Sequence, residues 1–100
     1  MSDVAKLRDV IRDLHGVESS HVRSEPIHET FEGETVWEGT VEVFQVFGHK
    51  TATFAYAWGH ETDEGGRAYV AVLGVPPVDS AQRAVQAAVV AEIKRRKDGA

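Results

Sequence analysis

Two spacings of apolar residues divide this chain. Val4, Leu7, Val10, Ile11 and Leu14 recur at helical intervals and predict a helix from Asp3 to about His15. Ser2 is placed to cap its start, and Gly16 to take the left-handed conformation that ends it. Ala81, Ala84, Val85, Ala88, Val89 and Ile93 form a second, alanine-rich stripe and predict a helix from about Ser80 to Lys97. Pro76-Pro77 stops whatever precedes it, and Asp79 or Ser80 caps it. Between the helices the apolar period shortens to two. Runs at 21–31, 35–47, 51–61 and 67–75 are rich in Val, Thr, Phe, Tyr and Trp and predict four strands. Gly33-Glu34, Gly48-His49 and Asp63-Glu64-Gly65-Gly66 are the turn signals between them. The expected fold is α+β, a four-stranded antiparallel meander in the order α-β-β-β-β-α, with residues 1–100 forming one domain.

A near-repeat, His28-Glu29-Thr30-Phe31-Glu32-Gly33 and His60-Glu61-Thr62-Asp63-Glu64-Gly65, marks two hairpin ends expected at the same end of the sheet. A two-residue turn at Gly48-His49 and a four-residue loop over 62–65 set which residues share a face. They place Trp37, Val41, Val43, Phe47, Phe54, Tyr56, Trp58, Tyr69, Leu73 and Val75 together. Both helices are expected to pack on that face, with Trp58 between them and the sheet. The opposite face is then open. It combines Glu29, Glu38, Thr40, Glu42, Thr51 and Thr53 with Ile27, Phe31, Val36, Phe44, Val46, Ala55, Ala57, Val70 and Val72. Apolar surface left open on a sheet commonly meets a partner, and a two-fold homodimer is the expected one.

Charge and composition narrow the function classes. The chain has 100 residues, a net charge of −5 and no cysteine, so it can bury a core but holds no disulfide or thiolate metal site. Seven glutamates and one arginine lie between Glu18 and Glu42. Such a sheet repels phosphate, so no nucleic-acid partner is expected. Lys94-Arg95-Arg96-Lys97 at a helix end complements the helix dipole. No apolar run reaches membrane length, and Met1-Ser2-Asp3-Val4 has no basic region followed by an apolar stretch, so a cytoplasmic protein without a signal peptide or a membrane contact is expected.

Candidate chemistry is sparse. Glu29, Glu38 and Glu42 are the carboxylates expected on the open face, where one can act as an acid and another as a base, with Thr40 and Thr53 as ligand-binding hydroxyls. The bland alternative is a solvated face that discourages aggregation. The five histidines, His15, His21, His28, His49 and His60, do not match a metal-ligand spacing, so neither a metal nor a cofactor is expected. No phosphate loop and no nucleophile elbow is present. The leading expectation is a small non-enzymatic domain that self-associates through its open face. The alternative is a ligand-binding protein or hydrolase-type enzyme that uses those carboxylates on an unknown small molecule.

The element order is similar to the double-stranded RNA-binding fold. That family's lysine-rich helix start is matched here by Ser80-Ala81-Gln82-Arg83-Ala84, with one base, so its function is not implied. Trp37-Glu38-Gly39-Thr40-Val41-Glu42-Val43-Phe44, with Tyr56-Ala57-Trp58, resembles a small bacterial family of unassigned function. The small residues Thr51, Thr53, Ala55 and Ala57 would equally suit an engineered scaffold.

Overall fold

The computed structural model describes residues 4–62 and 64–98. Helix α1 spans Val4–His15 and helix α2 Ala81–Asp98; strands β1 to β4 span Glu18–Phe31, Glu34–Phe47, Phe54–Glu61 and Arg67–Leu73. The strands form one antiparallel sheet in the order β1-β2-β3-β4. The α+β fold and its α-β-β-β-β-α order are therefore as expected.

Local chemistry sets the boundaries. Ser80 Oγ accepts from the Arg83 backbone N–H (3.2 Å), so Ser80 is the cap of α2. At the end of α1, Gly16 donates to the Arg12 carbonyl with φ +69. The turn between β1 and β2 is Glu32-Gly33, one residue earlier than expected, because Phe31 pairs with Glu34. Both central residues have positive φ, as a tight hairpin turn requires. Ser2, Asp3 and Asp63 lie outside the described residues, as do the side chains of Ile93 and of Arg95, Arg96 and Lys97.

The helices do not share a face. Leu7 and Ile11 of α1 pack on Phe44, Val46, Ala55 and Ala57, with Tyr69, Ala71 and Leu73 beside them. Ala81, Ala84 and Val85 of α2 pack on Ile27, Val41, Val43, Tyr56 and Trp58, with Val70 and Val72 beside them. The sheet is therefore a middle layer between two helices, and the expectation of both helices on one face is corrected. The uninterrupted apolar run Phe54-Ala55-Tyr56-Ala57-Trp58 is the physical reason. A strand covered on one side alternates with polar residues, and a strand covered on both sides does not. Trp58 is buried, as expected, but by α2 alone; Trp37 meets it edge to face at 5.5 Å. Leu14 and Phe47, expected inside, are exposed.

Register explains the remaining face errors. Val43 pairs with Tyr56, two residues from the expected pairing, which leaves faces unchanged. Trp58 pairs with Val70 instead of Tyr69, a slip of one, and that exchanges the faces of β4. The loop between Glu61 and Arg67 holds five residues, closed by bonds between the Thr62 and Gly66 backbones (3.0 Å) and from Gly66 N to Thr62 Oγ1 (3.1 Å). The two halves of the near-repeat thus lie at one end of the sheet but form different turns. β1 carries register shifts between His21 and Arg23 and between Glu29 and Thr30.

Candidate functional site

A polar cluster sits on the side of the sheet that α1 covers. Its centre is Glu42, half-buried two residues along β2 from the buried Phe44. His21 Nε2 donates to Glu42 Oε1 (2.8 Å), and the Ser24 hydroxyl donates to the same oxygen. The His21 ring also meets Phe44 at 5.4 Å in an edge-on arrangement. His21 and Ser24 are three residues apart, so a regular strand would place them on opposite faces. The bulge at Val22 inserts one extra residue and brings both onto the face of Glu42.

This geometry limits the chemistry. Ser24 directs its hydroxyl proton to the Glu42 carboxylate, so Glu42, and not the imidazole, is the base that its hydroxyl meets. Glu42 fixes the imidazole by its Nε2–H, leaving Nδ1 as an acceptor in the neutral ring. A carboxylate–imidazole pair with a neighbouring hydroxyl can bind a polar ligand or exchange a proton with one.

The other expected site residues divide. Glu38 and Thr40 share the face of Glu42, and both are exposed. Glu38 stands 3.8 Å from His28, whose Nε2 is also 2.8 Å from Thr35 Oγ1. Glu29 lies on the opposite face: it pairs with Trp37, and Gln86 of α2 donates to its carboxylate (3.3 Å). The three carboxylates therefore do not converge. Thr53 precedes β3 at the other end of the sheet, where its backbone carbonyl accepts from Val46. Among the described residues no three His, Asp or Glu side chains gather as a metal site would require. None of the described helices is long and apolar enough to cross a membrane.

A second feature was not visible in the sequence. Between the β1–β2 hairpin end and α2 runs a shallow groove of about 120 Å³, lined by Glu29, Thr30, Phe31, Val36, Gln86, Val89 and Val90. Phe31 is 52% exposed, Val36 40% and Val90 57%. Val90 falls outside the buried stripe of α2, and Phe31 and Val36 are expected on an open face; the sequence does not show that the three come together. The rest of the apolar surface expected to be open is not: Phe44, Val46, Ala55 and Ala57 are buried under α1, and Val70 and Val72 lie against α2. No protein-family model, curated protein or solved structure matches the chain.

Proposed function

We propose that this chain is a small non-enzymatic domain that acts by self-association, in the cytoplasm, through the groove between the hairpin end and α2. The observation that carries this reading is the convergence of Phe31, Val36 and Val90, three large apolar side chains left in water at one place. Both sheet centres already have a helix over them, and among the exposed apolar side chains these three line one groove, which favours it as the surface for a partner. The glutamates on the hairpin favour a protein partner over nucleic acid. Sedimentation velocity across a micromolar concentration series tests it. A concentration-dependent dimer is expected, and a strict monomer refutes it.

A second reading has its own observation, the bulge that directs His21 and Ser24 onto one carboxylate. On that reading the Glu42 face binds a small polar molecule or performs hydrolase-type chemistry, with His21 exchanging the proton. A thermal-shift screen comparing the parent with Glu42→Gln tests it. Hits that vanish in the variant support it, and a screen without hits refutes it.

A further inference from the structure

Resting on the self-association reading, we propose that the partner is a second copy docked by an antiparallel pairing of α2 helices centred on Val90, with Lys94 of each copy paired to Glu29 of the other. The outer face of α2 carries Arg83, Ala87, Val90, Ala91 and Lys94, all exposed. Ala87 and Ala91 flank Val90, so a second helix can approach to the short end of the usual 8–10 Å range. In an antiparallel pair centred on Val90, the position one turn beyond it faces the position one turn before it on the other helix. Lys94 of one copy thus faces Gln86 of the other, and Gln86 holds the Glu29 carboxylate at 3.3 Å. Two-fold symmetry repeats the contact. At the two-fold axis Val90 of each copy meets Val90 of the other, beside the groove that Phe31 and Val36 line.

Charge and size agree with this occupant. The hairpin end bears Glu29, Glu32 and Glu34, whereas the sequence of the α2 end is Lys94-Arg95-Arg96-Lys97. Of these, Glu29 and the exposed Lys94 are the described residues that the antiparallel arrangement brings opposite each other. The 18 residues of α2 span about 27 Å. A stable interface covers about 800 Å² of each partner, roughly an eighth of this chain's 6774 Å² surface. A helix of that length, with the hairpin end beside it, can supply that area.

Sedimentation velocity and light scattering on the full chain, with circular dichroism melts to confirm folding, test the arrangement. Val90→Asp should weaken the dimer by about 30-fold or more, as loss of an interface centre does, and Phe31→Ser should act in the same direction. Glu29→Lys and Lys94→Glu should each weaken it by about 3- to 10-fold, and combining them in one chain should restore it. A dimer lost with Val90→Asp but not restored by the double reversal overturns the Lys94–Glu29 register while leaving self-association standing. A dimer indifferent to Val90→Asp and Phe31→Ser overturns the surface. A monomeric parent overturns both this arrangement and the reading beneath it.

Discussion

Two cores separated by a sheet should respond independently to damage, and that can be measured. Ile11 of α1 and Val85 of α2 are both fully buried, one in each cluster. Ile11→Val removes one methylene group and should cost about 1 kcal/mol. Val85→Ala removes two methyl groups, which is about 1.6 kcal/mol in transfer free energy, and the cavity left behind raises the cost to about 2–3 kcal/mol. No side chain is shared between the two positions, because the sheet backbone lies between them. The double variant should therefore lose the sum, about 3–4 kcal/mol, within roughly 0.5 kcal/mol. A domain of this size holds about 5–15 kcal/mol, so it stays folded and its urea midpoint can be read. Val41→Ala combined with Val85→Ala supplies the contrast: both lie in the α2 core, and coupling of about 0.5 kcal/mol or more is expected. Coupling above about 1 kcal/mol between positions 11 and 85 would refute the three-layer arrangement and return both helices to one face.

Three further outcomes follow from single residues. Ser19 Oγ is buried with no hydrogen-bond partner among the described residues, so Ser19→Ala should raise the urea midpoint, by about 1 kcal/mol in stability. A Cβ on Gly74 would stand 2.9 Å from the Phe54 carbonyl, which is backbone held in the ladder, whereas one on Gly59 would meet the far end of the Arg67 side chain at 2.8 Å. Gly74→Ala should therefore cost more than about 1 kcal/mol and Gly59→Ala less than about half of that, both read from thermal melts. Burial raises the Tyr56 phenol above its ordinary value of 10.0, with Arg23 opposing and Asp79 and Glu25 adding. The unfolded chain then ionises first. This contribution to stability is intact below about pH 10 and is lost as pH rises through the folded value. Denaturation midpoints followed into alkali should fall less steeply for Tyr56→Phe than for the parent.

The element order was legible in the sequence because each period is carried by residues with one role. Leu7 and Ile11 sit a turn apart, and Ala81, Ala84 and Val85 mark one side of a helix. Sidedness was harder, because it depends on counting residues where the chain departs from regularity. Five loop residues instead of four between Glu61 and Arg67 move Tyr69 and Leu73 from the Trp58 side to the Ala57 side. Nothing in Thr62–Gly66 announces the odd count; it follows from how Thr62 closes on Gly66. The site was half legible. Glu42 stands out as a charge beside Phe44 on a central strand, but His21 and Ser24 reach it only through a bulge on a polar edge strand. There, both the regular and the bulged pairing leave side chains in water, and hydrophobic pattern has little to choose between them.

The lengths of the strands tie this fold to its proposed use. β1 and β2 each run 14 residues, whereas β3 runs 8 and β4 only 7. Toward the hairpin end the pairing of β2 with β3 stops at Glu42, so the outer half of the first hairpin continues past its neighbours. An isolated two-stranded ribbon is marginal in water. Here α2 supports it, through Gln86 on Glu29 and through Val89 beside Phe31 and Val36. Cover by one helix is narrow, however, and the edges of Phe31, Val36 and Val90 remain in water. The same extension that needs support therefore creates the unfilled groove. A partner that fills it would stabilise the hairpin end as well as itself, so association and the melting temperature should rise together with concentration. Amide exchange at residues 29–36 that stays unchanged while the dimer population grows would place the contact elsewhere on the molecule.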